Sequence, residues 1–428
     1  MTVCSSRSSE GLYLLQFYTT IIAAFAIAAS VSTVQKENTV GPTSQEAARI
    51  AHGPTVVLPF QFDPPGAPYI LLTVRVNGSS PMLFMLDTGS NAPVLLMEWA
   101  AKELGLFPSP RSSKPSLPSP VKDTDLRTDI TLVSDNADRN AVISGVPTII
   151  WNKHKFEENI SESRVAGIIG IPLLKPFTVQ IDFSGKKITL FANPQDVPTG
   201  NGVATVKMSE RRGFMFVPVT VNAGKQANLL LDTGSAVTIV PASSIAGNAV
   251  FPSTASGYMT PEGRLEFSRQ LLLPNLKIGE LTARDMTVTV QPPGEDATIG
   301  INLLSRYRML MDFPGKQITF QVDENAKEIR LHGVIGVELD HIGDRYRISS
   351  LSPGLPAAKA GLHKGDFILE VDGQPFRYSS VLVAQKVLGG WAREPIQLLV
   401  ERPDGKKDHL SFRRESEFTN DAFSSSGM

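Results

Sequence analysis

Two stretches of this chain, 145 positions apart, carry the same residues in the same order. The first reads YILLTVRVNGSSPMLFMLDTGS and the second FMFVPVTVNAGKQANLLLDTGS. Val74, Val76, Asn77, Leu86 and Asp87-Thr88-Gly89-Ser90 reappear as Val219, Val221, Asn222, Leu231 and Asp232-Thr233-Gly234-Ser235. A second block, GIIGIPLLKPFTVQIDFSGKKITLF from Gly167, returns as ATIGINLLSRYRMLMDFPGKQITFQ from Ala297. Each first block reads as a strand, an Asn-Gly or Asn-Ala-Gly turn, and a second strand ending at the aspartate. Two blocks repeated in one order constrain the fold strongly: one β-rich unit is built twice, over residues 55–193 and 202–323. The first copy is longer, and its extra length includes FPSPRSSKPSLPSP (residues 107–120), a Pro/Ser run unfit for helix or central strand.

Composition excludes several function classes. The net charge of −1 offers no basic stripe for nucleic acid. The single cysteine, Cys4, permits no intramolecular disulfide. His52, His154, His332, His341, His363 and His409 are scattered without metal-ligand spacing, and no phosphate or dinucleotide fingerprint occurs. No metal or organic cofactor is implied. With 42% apolar residues the chain has ample material for a core.

The amino terminus has the makings of an address. Arg7 precedes an apolar run, Leu12 to Ser32, containing Ala26-Ile27-Ala28 in the A-x-A form of a cleavage site. Residues 1–32 therefore read as a signal peptide, with an N-terminal membrane anchor as the competing reading. Residues 33–54 read as a linker. Either way the working domains are expected outside the cytoplasm: periplasm, cell envelope or secreted.

An aspartate against three leucines, LLLDTGS, has two explanations. As a turn it is unremarkable, since Asp, Gly and Ser all favour turns. As chemistry it needs a partner, and the repeat supplies one. Two carboxylates brought together cannot both ionise comfortably, so one keeps a proton beside a charged neighbour. Such a pair can deprotonate a water and protonate a leaving group, and it titrates as a unit. Gly89 and Gly234 let backbone amides face the carboxylates. Thr88 and Thr233 suit a hydrogen bond across the pair, and Ser90 and Ser235 can donate to the outer carboxylate oxygens.

With these motifs the sequence resembles the aspartic peptidases of the retropepsin and pepsin type, most closely the bacterial two-copy version of the retroviral-type unit. The resemblance spans both units and includes Ile168-Ile169-Gly170 and Thr298-Ile299-Gly300, which match the apolar-apolar-Gly element packed beneath the catalytic loop. It implies a mainly β, pseudo-twofold protease of two tandem closed β-barrel units, with Asp87 and Asp232 as the dyad. It further implies an extended polypeptide substrate and one chain sufficing for the cleft. A flap is implied at residues 253–267, with Gly257, Tyr258 and Gly263 near its tip.

Residues 328–414 resemble a small α+β PDZ domain of the exported bacterial kind. The carriers are Pro356-Ala357-Ala358-Lys359-Ala360-Gly361-Leu362, then Gly365-Asp366, then Ile368 to Gly373. PDZ domains take a peptide as an added strand and capture its C-terminal carboxylate. The resemblance assigns that role to Ile335-Gly336-Val337, with an internal strand as the alternative ligand, a helix over residues 380–390 as the other wall, and Val334 where glycine is common. Residues 415–428 read as a disordered tail. The reading is an exported aspartic endopeptidase; the alternative is a non-catalytic, peptide-binding scaffold of the cell envelope.

Overall fold

The computed structural model describes residues 49–50, 55–63, 69–106, 126–136, 139–151, 164–198, 204–222, 225–245, 253–259, 265–291, 296–323, 333–378, 381–390 and 392–416. The Leu12–Ser32 run, Gly263 and the Pro/Ser run lie outside them. No helix among the described residues is long and apolar enough to cross a membrane.

The first half contains β1 (Arg49–Ile50), β2 (Thr55–Asp63), β3 (Tyr69–Val76), β4 (Met82–Asp87), β5 (Val94–Met97), helix α1 (Glu98–Glu103), β6 (Arg127–Leu132), β7 (Ala141–Trp151), β8 (Val165–Gly170), α2 (Ile171–Leu174), β9 (Thr178–Asp182) and β10 (Lys187–Phe191). Strand β3 shows why the sequence folds this way. Ile70, Leu72, Val74 and Val76 enter the main core, while Tyr69 and Leu71 point to a second apolar cluster with Met85, Leu95 and Ile168. Asn77 and Gly78 both take positive φ, 50° and 73°, as a tight hairpin turn requires. The strands close on themselves: β3 pairs with β4 and β6, β6 with β7, β7 with β5, β5 with β8, and β8 with β4. This six-stranded barrel leaves no open edge within its ring.

The second half contains β11 (Ala204–Lys207), β12 (Ser209–Arg211), β13 (Phe214–Val221), β14 (Lys225–Leu231), β15 (Thr238–Val240), β16 (Ser253–Met259), β17 (Leu265–Ile278), β18 (Leu281–Val290), β19 (Thr298–Ile299), α3 (Ile301–Leu304), β20 (Tyr307–Asp312) and β21 (Gln317–Val322). Its order follows the first half, β19-β14-β13-β17-β18-β15, but the expected second closed barrel is not completed. Among the described residues β15 and β19 lie close without pairing. The reason is local. In the first half the Gly170 amide donates to the Pro93 carbonyl; in the second the equivalent Gly300 amide donates to the Thr238 hydroxyl at 3.2 Å. A side chain takes the place of the backbone acceptor, so the ladder stops there.

The halves are joined by more than the chain. Strands β2-β10-β9-β20-β21-β11 run as one sheet, and its seam is the antiparallel pair β9·β20. Ile181 pairs with Met309 and Val179 with Met311. Those two pairs exchange when the halves are exchanged, because Met311 is the counterpart of Ile181 and Met309 that of Val179. The core runs through both halves as one cluster.

The C-terminal module contains β22 (Gly333–Val334), β23 (Val337–Ile342), β24 (Arg345–Leu351), α4 (Pro356–Lys359), β25 (Phe367–Val371), β26 (Gln374–Pro375), α5 (Val381–Gly389), β27 (Pro395–Glu401), β28 (Lys407–Arg413) and β29 (Glu415–Ser416). It has its own core, including Ile335, Tyr346, Ile348, Phe376 and Leu398. The helix expected over 380–390 is α5, packed beside β23. One boundary differs from expectation: Glu415 and Ser416, read as tail, pair with Val334 and Gly333. Buried Arg414 fixes them in place, donating to the carbonyls of Leu388, Pro395 and Val387.

Candidate active site

Strands β4 and β14 are the apolar arms that carry the two aspartates inward. Asp87 and Asp232 are 1% and 4% exposed, and their carboxyls are hydrogen-bonded to each other. Each loop is wrapped around its own carboxylate. The Gly89 amide donates to Asp87 Oδ1 at 2.8 Å, and the Gly234 amide donates to Asp232 Oδ1 at 2.8 Å. The Ser90 and Ser235 amides donate to the backbone carbonyls of Asp87 and Asp232, closing each turn.

The glycines do a second thing that sequence reasoning did not foresee. A Cβ built on Gly89 would fall 2.6 Å from the Asp232 carboxyl, and one on Gly234 would fall 2.5 Å from that of Asp87. Only a residue without a side chain lets each loop lie against the opposite aspartate. Beneath them, Thr88 Oγ1 donates to the Leu231 carbonyl at 2.8 Å and accepts the Thr233 amide at 3.0 Å. Thr233 Oγ1 mirrors this with the Leu86 carbonyl and the Thr88 amide, both at 3.0 Å. The structure thus brings Asp87, Thr88, Gly89, Asp232, Thr233 and Gly234 together.

The serines depart from expectation. Ser235 Oγ donates to the Val237 carbonyl at 2.8 Å, and the buried Ser90 Oγ has no hydrogen-bond partner among the described residues. Amides already serve the carboxylates, so the hydroxyls are free for other duties.

Electrostatics follow from this enclosure. Burial pushes the Asp87 carboxyl up to about 6, against the lowering effect of hydrogen bonds from Asp232 and Gly89. Burial, then the charge of Asp87, holds Asp232 protonated well above the usual carboxylate range. A buried pair in which one carboxyl ionises while the other keeps its proton is equipped for acid–base work on a bound molecule.

Elements below the loops match the sequence. Ile168-Ile169-Gly170 closes β8 and leads into α2, and Thr298-Ile299-Gly300 leads into α3. A Cβ on either glycine would meet backbone oxygens, of Ala92 at 2.0 Å and of Val237 at 2.2 Å. The expected flap region is a hairpin of β16 and β17, with Gly257 opposite Phe267 and Tyr258 opposite Glu266. In the C-terminal module Ile335 is buried, Gly336 has φ 81° against Leu355, and Val337 opens β23.

Two residues escaped the sequence reading. Asn91, just past the first D-T-G-S, donates to the Arg212 carbonyl at 2.8 Å and so ties that loop to the other half. Tyr69, fully buried, lies within electrostatic reach of both aspartates. Aligning the two repeats would have exposed it, since its counterpart is Phe214.

Comparison with known proteins adds family evidence. Residues 217–303 match the family model described as aspartyl protease, a span holding Asp232 and Gly300. Residues 321–401 match the PDZ domain model. The chain joins an aspartyl protease domain to a C-terminal PDZ domain. A Synechocystis sp. (strain ATCC 27184 / PCC 6803 / Kazusa) protein named "Putative serine protease HhoB" is 32% identical over 122 residues, covering 28% of each chain. The chain thus spans little more than a quarter of that curated relative. Among solved structures, a photosystem II D1 C-terminal processing protease is 27% identical over 20% of this chain and 23% of its own, with a TM-score of 0.19. The PDZ domain of a carboxy-terminal protease from Vibrio cholerae, in complex with peptide, is 28% identical over 20% of this chain and 94% of its own, with a TM-score of 0.18.

Proposed function

We propose that this chain is an exported aspartic endopeptidase that hydrolyses extended polypeptides with Asp87 and Asp232, and that its PDZ domain binds peptide. The observation that carries the reading is the pair itself: two buried carboxyls, one from each half, hydrogen-bonded together on loops that grip each other. In the reaction the ionised carboxylate takes a proton from a water held between the two. The water oxygen bonds to the peptide carbonyl carbon while the protonated carboxyl gives its proton to the carbonyl oxygen. Collapse of the tetrahedral intermediate breaks the C–N bond: the proton held by the first carboxyl passes to the departing amine, and the second, now a carboxylate, takes back a hydroxyl proton from the intermediate. Export rests on the Leu12–Ser32 segment.

A serine mechanism fits these residues poorly. A serine nucleophile needs an adjacent base, most often histidine. The described histidines, His341, His363 and His409, all lie in the C-terminal module.

The test is proteolysis of an unfolded protein library by the purified chain from pH 3 to 8. Asp87→Asn and Asp232→Asn should each abolish cleavage while circular dichroism and the urea midpoint report a folded chain. Cleavage that survives in both variants would overturn the assignment. A wild-type chain that binds peptides but cleaves none at any pH would favour the scaffold reading instead.

A further inference from the structure

The two halves of the site repeat the glycine and threonine contacts of the carboxyl pair, but the aromatic side chain that flanks the aspartate differs between them. In the first half Leu71 pairs with Met85 across β3 and β4. One step along, on the same face of the sheet, the register brings Tyr69 level with Asp87. Tyr69, Leu71 and Met85 share one apolar cluster, which fixes the face. In the second half Phe216 pairs with Leu230, and the same step brings Phe214 level with Asp232. Phe214, Phe216 and Leu230 form the matching cluster. The near-twofold axis therefore relates a phenol to a phenyl ring, at the position flanking the carboxyl pair.

From this asymmetry we infer that Tyr69 is a positioning residue: its buried hydroxyl flanks the carboxyl pair from one side, where the other half presents only the Phe214 ring, and stabilises the singly ionised pair. The inference rests on the aspartic-peptidase reading and goes beyond it, because it gives the pair a third, non-repeated polar group.

The surroundings agree. Tyr69 is 1% exposed, so water does not screen it. Both aspartates act on it, Asp232 more strongly than Asp87. Burial, then the charges of Asp232 and Asp87, hold the phenol protonated far above its usual range. It therefore remains an O–H dipole wherever the pair carries a single charge. A hydroxyl stabilises a nearby carboxylate and a phenyl ring does not.

Tyr69→Phe removes one oxygen and leaves the ring. In the full chain it should move the acid limb of kcat/KM up by roughly half to one pH unit, with the urea midpoint little changed and KM less affected than kcat. Adding Phe214→Tyr to Tyr69→Phe should bring the limb back down. An unchanged limb in Tyr69→Phe would overturn the inference while leaving the peptidase reading intact. Absence of cleavage by wild type would instead remove that reading. Carbon-13 NMR titration of the two carboxyls, wild type against Tyr69→Phe, should show the first ionisation of the pair moved up, and an unmoved ionisation would likewise overturn the inference. If Tyr69→Phe does not fold, Phe214→Tyr alone should lower the acid limb, and an unmoved limb there would sink the inference.

Discussion

Thr88 and Thr233 exchange hydrogen bonds across the two halves, each hydroxyl accepting the other's amide at 3.0 Å while donating to a carbonyl of the opposite strand. Four buried backbone groups, the amides of residues 88 and 233 and the carbonyls of Leu86 and Leu231, depend on two side chains. Thr88→Val keeps the shape and removes the hydroxyl, leaving a buried amide and a buried carbonyl unpaired. At about 1–3 kcal/mol for each stranded group, the loss should be on the order of 2–5 kcal/mol. Thr88→Ser keeps the hydroxyl and should lose less than half of that. Urea denaturation of the three proteins compares them directly, and equal midpoints would contradict the grip.

Activity should depend on pH in a definite direction. The proposed chemistry needs one carboxylate and one carboxylic acid. With Asp87 raised to about 6 and Asp232 held well above the ordinary range, both carry protons in strong acid. Cleavage should therefore rise as pH passes through about 6 and fall again when Asp232 ionises. A kcat/KM profile on a peptide with no ionising groups of its own measures this; a maximum below pH 4 would contradict it.

The same carboxyls weigh on stability with the opposite tendency. Their folded-state proton affinities exceed those of an unfolded aspartate, so their contribution is full below the unfolded value of 3.8 and declines as pH rises through the folded values. Asp87→Asn or Asp232→Asn removes that dependence. Each tenfold change in proton affinity corresponds to about 1.4 kcal/mol, so relief at pH 8 should be on the order of 2–3 kcal/mol for Asp87. The variants should gain in urea midpoint at pH 8 and gain little at pH 4. A variant less stable than wild type at pH 8 would show that the aspartates are structural.

Gly234→Ala tests how tightly the halves meet. The new methyl would stand 2.5 Å from the Asp87 carboxyl. The halves must separate there or the carboxyl must turn away. Cleavage should fall by at least about a hundredfold, and the melting temperature should fall with it. Near-normal turnover in this variant would mean that the loops are looser than their contacts imply.

In the C-terminal module, Arg414→Ala should free three carbonyls and release β29 from β22. A loss of about 3–5 kcal/mol is expected from stranding three carbonyls at about 1–3 kcal/mol each, confined to this module because its core is separate. Hydrogen exchange would localise it: amides of Gly333 and Val337–Ile342 should open while those of β3 and β4 stay protected.

How much of this was written in the sequence depends on whether a feature is repeated locally. The D-T-G-S loops and the Ile-Gly elements beneath them could be read because four residues determine a turn and each occurs twice. The seam between β9 and β20 could not, because strand partners 130 residues apart leave no local mark beyond alternating apolar positions. The unclosed second ring turns on Thr238 standing where the first half has Pro93, a difference visible in the sequence but meaningless until the Gly300 amide is placed beside it. Tyr69 was missed for a similar reason. An aromatic residue at the start of a strand reads as core, and only the register with β4 sets it level with Asp87. Glu415 and Ser416 were lost to the tail because their charged and polar character hides a two-residue pairing anchored by Arg414.

The β9·β20 seam has a further meaning. A site assembled from two separate subunits exists only above the concentration at which they associate, and dilution dismantles it. Here both carboxylates arrive on one polypeptide and their carriers are stitched into one sheet. Encounter of the two aspartates is then a folding event of first order, indifferent to how many other copies of the chain are present.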